Sequence, residues 1–281
     1  MMDAIPGAWS RTPADLLAEI VMAATNHDGP FLVVEGPTDQ RFLELKVDAA
    51  VYFVQAGGKS TCITLIRLLN SAARPFYYIG IVDEDYDWIT PEREGNLVLT
   101  DTRDLEGILV RSTALDSVIL ELADKARVAN FLQRSGTSIR EALLKRAIFF
   151  GRIRTLGFIH GSICLEKIKP ARFCNQDWSY DEAACAEVCV ELGLSDSTES
   201  LLSAANSLDA PSDWHFARGH DLIDILVGGF VKIFSGNAPP RTHVEALLRQ
   251  SMQKEEFVAT KLFKRVSQWE TESNQRIWKV A

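Results

Sequence analysis

What the sequence lacks bounds it first. No run of about 18 apolar residues occurs, so no membrane span is expected. The first residues lack a basic start followed by an apolar stretch, so no secretory leader is expected and the cytoplasm is the default location. Cysteine is scarce. The five are Cys62, Cys164, Cys174, Cys185 and Cys189, an odd number in a long chain, which argues against a disulfide framework. Their spacings fit no common zinc pattern. Cys185 and Cys189 lie four apart on an expected helix and read as buried free thiols. A basic excess is also missing: 30 Lys and Arg against 38 Asp and Glu leave a formal charge of −8. That argues against tight non-specific DNA binding, while local basic patches stay open. There is no internal repeat and no low-complexity tract.

What is present is globular: 47% apolar and 24% charged residues over 281 positions, enough for one large domain or two smaller ones. The first third alternates. An amphipathic helix is expected over 13–25, then a strand over 31–34 and a helix capped by Thr38 and Asp39. A strand over 51–54 follows, then a tight Gly57–Gly58 connection and a helix beginning at Ser60 or Thr61. Pro75 ends that unit, and strands follow over 76–82 and 96–99. Strand–helix alternation with continuous apolar strands predicts an α/β fold with a parallel sheet covered on both faces. The second part reads as mainly helical, over 115–132, 138–153, 180–192, 197–208, 222–234 and 244–251. The expected domains are thus 1–112, an α/β domain with its N-terminal helix, and 113–281, a mainly α-helical domain or an elaborate cap.

The most informative feature is where the strands end. Phe31–Val34 runs into Glu35–Gly36, and Tyr78–Val82 runs into Asp83–Glu84–Asp85–Tyr86–Asp87. In a parallel sheet, ligands gather at the carboxyl ends of the strands. Glu35, Asp83 and Asp85 would then share an acidic pocket. Two such charges about 4 Å apart repel by roughly 4 kcal/mol at an effective dielectric of 20, so a cation is needed. Oxygen ligands suit Mg2+ or Mn2+. The bland readings stand beside this: Glu35 as a helix cap or solvated loop residue, and the acidic cluster as an exposed turn. Asp101, Asp104 and Glu106 follow the fourth strand. Glu106 is a further candidate ligand, while Asp104 is equally a cap for a helix beginning at Leu105.

Three other features carry chemistry. Gly57–Gly58–Lys59–Ser60 resembles the end of a phosphate-binding loop, but Phe53 stands where that pattern needs glycine. Lys59 to Asp83 leaves room for one helix only, which disfavours a degenerate P-loop nucleotide hydrolase. Lys59 can still touch a substrate phosphate. His215 and Gly219–His220–Asp221 form the polar cluster of the second half. A His-Asp pair at a helix start can hold metal or act as acid and base, and Asp221 reads equally as a cap for the helix from Leu222. Arg152, Arg154, Lys167, Lys169 and Arg172 form a loose basic stretch, either a solvated helix end or a contact for a phosphate backbone. His160 and His243 have no partner pattern.

The ordered set Val33–Val34–Glu35–Gly36, Asp39 and Ile81–Val82–Asp83–Glu84–Asp85 resembles the Toprim domain of topoisomerases, bacterial primases and overcoming-lysogenization-defect nucleases. The match covers roughly 29–110. It implies a Rossmann-like sheet and magnesium coordination by Glu35, Asp83 and Asp85 for phosphodiester chemistry. A finer resemblance is to a bacterial family of Toprim-like proteins. It rests on Glu35 to Asp39, Gly57 to Lys59, Thr100 to Glu106 and Gly219 to Asp221. That family includes the nuclease effector of phage anti-restriction-induced defence systems, whose partner is an ABC-type ATPase. The resemblance implies a metal-dependent RNA- or tRNA-cleaving toxin held inactive by that ATPase. In this reading Asp87 or Glu106 completes the metal shell, Lys59 steadies the phosphate charge and His220 assists the leaving oxygen. The alternative is a non-catalytic Toprim module that docks a partner. A homodimer is left open.

Overall fold

A computed structural model describes residues 11–72, 76–91, 94–161, 165 and 168–279. Pro75, Cys164 and Lys167 lie outside the described residues. In chain order the elements are α1 (Pro13–Ala23), β1 (Phe31–Val34), α2 (Pro37–Leu43), β2 (Tyr52–Gln55), α3 (Lys59–Asn70), β3 (Tyr78–Val82) and β4 (Leu97–Leu99). Then come α4 (Leu105–Arg111), α5 (Ala114–Leu122), α6 (Lys125–Ser135), α7 (Ile139–Ile159), α8 (Glu182–Glu191) and α9 (Thr198–Ser207). The last are α10 (Gly219–Gly229), α11 (Arg241–Ser251), α12 (Lys254–Ala259) and α13 (Lys261–Ser273). None of the described helices is long and apolar enough to cross a membrane.

The sheet is α/β in type and wholly parallel, in the order β2-β1-β3-β4, as the alternating pattern predicts. Every residue of β1 and β3 is buried, which explains why both read as unbroken apolar runs. Val34 stands beside Gln55 on one side and Ile81 on the other. Leu16 and Ile20 of α1 and Cys62, Leu65, Ile66 and Leu69 of α3 pack with Phe31, Val33, Val54, Tyr78 and Val82 into one core. Helix boundaries shift slightly from expectation. Gly36 rather than Thr38 is the N-cap of α2, and Asp39 closes the turn by accepting the Gly36 N–H at 2.8 Å. α3 begins at Lys59, directly after Gly58.

Two compact units emerge, and they interleave along the chain. Among the described residues, one comprises 11–72, 76–83, 94–101 and 258–279; the other comprises 84–91, 102–161, 165 and 168–257. The C-terminal segment therefore belongs with the sheet, whereas the sequence reading drew a single boundary after 112. Local reasons are visible within that unit. Asp101 accepts the Lys261 and Leu262 amides at 2.7 Å each and so caps α13, which packs on β4. Val47 pairs antiparallel with Trp278, and Asp48 N–H donates to Ile277 C=O at 2.8 Å.

The other unit is helical. The expected single helix over 115–132 is two, because Asp124 turns its carboxylate onto the Arg127 amide and starts α6. α10 packs on α4 and α7. It begins at Gly219 and runs into a π-helical turn, Phe230–Phe234. Cys185 and Cys189 are both buried on α8, and Cys62 is buried on α3.

Candidate metal centre

In the sheet unit, two of the predicted residues meet, through the side chain of one and the main chain of the other. Glu35 follows β1 and Asp83 follows β3 on the adjacent strand, and Glu35 Oε1 accepts the Asp83 main-chain N–H at 2.7 Å. Lys59 Nζ donates to the Asp83 carbonyl at 2.6 Å. The Lys59 ammonium is brought there by a three-residue turn, Ala56–Gly58, between β2 and α3. Gly57 and Gly58 adopt φ of +80° and +139°, values that side-chain-bearing residues rarely reach. The Gly57 N–H donates to the Glu35 carbonyl at 2.8 Å, so this turn is pinned to the end of β1. Burial raises the Asp39 carboxyl above its ordinary value, against the lowering effect of the Gly36 N–H. The buried Cys62 thiol is pushed up by burial, with the Glu35 and Asp39 charges adding. Glu35 and Lys59 thus both reach the Asp83 main chain at the end of β3, while Asp39 closes the turn after β1.

The remaining predicted residues fall in the helical unit. Asp85 sits in a turn with φ of +52° and donates its N–H to the Arg103 carbonyl at 2.7 Å. Asp87 N–H closes the same turn onto the Glu84 carbonyl at 2.9 Å. Between them, Tyr86 stacks on Phe158 at 4.2 Å between ring centroids. Arg103 lies 4.2 Å over the other side of the Tyr86 system and also bonds its hydroxyl. Glu84 is buried, with His215 Nε2 3.9 Å from its carboxylate. Arg103 is buried too. Its tie to Tyr86, 17 residues earlier, has no local pattern in the sequence.

Asp104 caps α4, as expected, by accepting the Gly107 N–H at 3.0 Å. It also accepts the Gly219 N–H at 2.5 Å. Burial pushes its carboxyl up to about 6. The Gly219 and Gly107 amides and the Arg103 charge oppose that rise, and the Asp85 charge adds to it. Glu106 lies against Gly219: a methyl there would sit 2.5 Å from Glu106 Cβ and 2.6 Å from Asp104 Oδ1. The Thr100–Glu106 and Gly219–Asp221 segments, singled out separately in the sequence, therefore meet through Asp104, Glu106 and Gly219.

Asp221 is not the cap of α10; it lies inside the helix, buried, and holds Arg154 by two hydrogen bonds of 2.6 and 2.8 Å. An aspartate before an apolar run resembles a cap, but a buried guanidinium has claimed this one. His220 faces a cavity it shares with Arg218 and Arg241. Burial first, then those two charges, holds its imidazole below the ordinary value.

Among the described residues, no three His, Cys, Asp or Glu side chains stand together as a set able to hold a metal ion. The donor chemistry nonetheless suits a hard divalent cation, since Glu35 and Asp83 offer carboxylate oxygens at adjoining strand ends. As they lie, the two fall one donor short of a set. No protein-family model matches the chain, and no curated protein matches it.

Proposed function

We propose that the protein is a metal-dependent nuclease of Toprim type that cleaves RNA, with tRNA the favoured substrate, in antiviral defence beside an ABC-type ATPase partner. The observation that carries this reading is the meeting of Glu35 and Asp83 at adjacent ends of β1 and β3, with Lys59 on the Asp83 main chain. The part of Asp85 rests on the Asp-x-Asp spacing of the sequence, that of Asp87 on the acidic run after β3, and those of Glu106 and His220 on the Thr100–Glu106 and Gly219–Asp221 segments. Bound Mg2+ or Mn2+ would supply Lewis-acid polarisation of the phosphodiester and an acidified water. Glu35 and Asp83 would hold it. Glu35 can also move a proton at its carboxylate, and Lys59 contributes positive charge where the phosphate would gain negative charge.

The three-residue turn before Lys59 is short for wrapping a triphosphate, which weighs against a P-loop nucleotide hydrolase. A non-catalytic binding module that docks a partner is the rival.

Incubating the purified chain with tRNA, single-stranded RNA and plasmid DNA, each with Mg2+ or Mn2+, tests the proposal. Cleavage of RNA is expected, falling by roughly 100-fold or more in Glu35→Gln and Asp83→Asn. Cleavage that survives both substitutions together would refute the site. No cleavage under any condition, even beside the ATPase, would favour the module.

A further inference from the structure

The helical unit carries two adjoining cavities that the strand-end carboxylates do not explain. One, of about 740 Å³, opens beside α10 with Val227 and Val231 in its wall. The other, of about 510 Å³, lies along α6. Lys232, carried by the π-helical turn after α10, lines both. Eight cationic side chains and three carboxylates line the pair, in a chain of formal charge −8. So local a reversal of sign is the electrostatic footprint of an anionic ligand.

Three of these cations are already committed. Arg154 is held by Asp221 at 2.6 Å, and Arg241 by Asp224 at 2.8 Å and Glu245 at 2.7 Å. Arg146 donates to the Trp178 carbonyl at 2.7 Å and lies 4.1 Å over the Trp178 ring. These pairs also neutralise Asp221 and Asp224. Five cations are left over. Lys169, Arg218, Arg127 and Arg134 make no side-chain hydrogen bond or ion pair among the described residues. Lys232 donates to the neutral amide oxygen of Gln176 at 3.1 Å.

We propose that this pair of cavities is a binding track for the sugar-phosphate backbone of a single-stranded nucleic acid, with Lys169, Arg218, Lys232, Arg127 and Arg134 against successive phosphates. Five uncompensated cations in two cavities joined at one lysine exceed what a single phosphate group requires. The Val227 and Val231 wall offers an apolar surface to an unpaired base or its sugar. The track deepens the nuclease reading by narrowing its RNA substrate to a single-stranded stretch. It stands on the charges of the helical unit alone.

The test is fluorescence anisotropy on the full chain, in EDTA, with a labelled oligouridylate of about twelve nucleotides and the matching deoxy strand. Binding is expected at low salt. With five phosphate contacts, log K should fall with log salt at a slope of about −3.5. Lys169→Glu with Arg218→Glu, and separately Arg134→Gln with Lys232→Gln, should each weaken binding by about tenfold or more. Lys264→Glu with Arg265→Glu, on exposed positions of α13, changes net charge as much as the first pair and should leave binding as it was. No binding by the wild type, equal weakening by the α13 control, or competition by a mononucleotide at the strand's own affinity would each overturn the track. Binding without any cleavage would keep the track and sink the nuclease reading. Cleavage that depends on Glu35 and Asp83, with affinity unmoved by the track variants, would do the reverse.

Discussion

Glu35 and Asp83 are joined across two parallel strands by a side-chain-to-backbone hydrogen bond of 2.7 Å, from the Asp83 N–H to Glu35 Oε1. The same carboxylate proposed to hold a metal thus also closes the end of the sheet. Glu35→Ala removes an acceptor from a half-buried amide and should cost about 1–2 kcal/mol of stability. Glu35→Gln keeps an acceptor in reach and should cost less than half as much, yet lose cleavage as fully. Urea denaturation and the RNA assay, run on both variants, separate the two jobs. Equal destabilisation by Gln and Ala would mean the hydrogen bond does not matter to folding.

Gly219 has no room for a side chain. Its would-be methyl lies 2.5 Å from Glu106 Cβ and 2.6 Å from Asp104 Oδ1, so Gly219→Ala must move α4 or α10. The expected cost is about 1–3 kcal/mol, from overpacking and a lengthened Gly219 N–H to Asp104 bond. Gly95 has nothing within 4 Å of the same construction and no positive φ, so Gly95→Ala should be near neutral. Thermal melting of both variants decides it; a similar melting temperature for Gly219→Ala and the wild type would show that α4 and α10 part easily.

The parallel sheet was legible because buried strands in such sheets are unbroken apolar runs, and Phe31–Val34 and Tyr78–Val82 are nothing else. The meeting of Glu35 and Asp83 followed from adjacency of strand ends. Asp104 as a cap was readable because its partner, Gly107, is three residues away. What failed was non-local. Asp101 caps a helix 160 residues further on, so α13 and its return to the sheet had no local mark. Asp221 looked like a cap because its true partner, Arg154, is 67 residues distant. Lys169 belonged to a stretch read as basic; its grouping with Lys232 and Arg134 needed the folded helices.

Lys46 gives a pH test within the sheet unit. Burial holds its ammonium down to about 8, even though Nζ donates to the Phe42 carbonyl at 3.1 Å and lies 4.0 Å over the Phe42 ring. The unfolded chain keeps that proton up to the ordinary value of 10.5. Between about 8 and 10.5 the unfolded state therefore binds more protons, and stability rises with pH. Lys46→Met keeps the apolar stem and removes the titration. Its stability relative to wild type should be greatest below pH 8 and shrink as pH climbs. A constant difference across that window would show that the Lys46 ammonium is not held down in the folded protein.

The Arg154–Asp221 pair makes the most exposed claim about the helical unit. Both side chains are buried, and the guanidinium also donates to the Leu165 and Ile168 carbonyls at 2.9 and 2.6 Å. Asp221→Leu leaves a buried cation that still has two carbonyl acceptors. Arg154→Met leaves a buried carboxylate and two carbonyls without their donor. Breaking a buried pair costs about 3–5 kcal/mol, so both variants should be severely destabilised, with Arg154→Met the worse. The double variant removes both charges and should be less destabilised than the two singles added together, by about 1–3 kcal/mol. Because two carbonyls still lose their donor, it should not return to wild-type stability. Denaturant titration of all four proteins checks the ranking; strict additivity, or Asp221→Leu as the worse single, would mean the guanidinium's carbonyl contacts do not set the order.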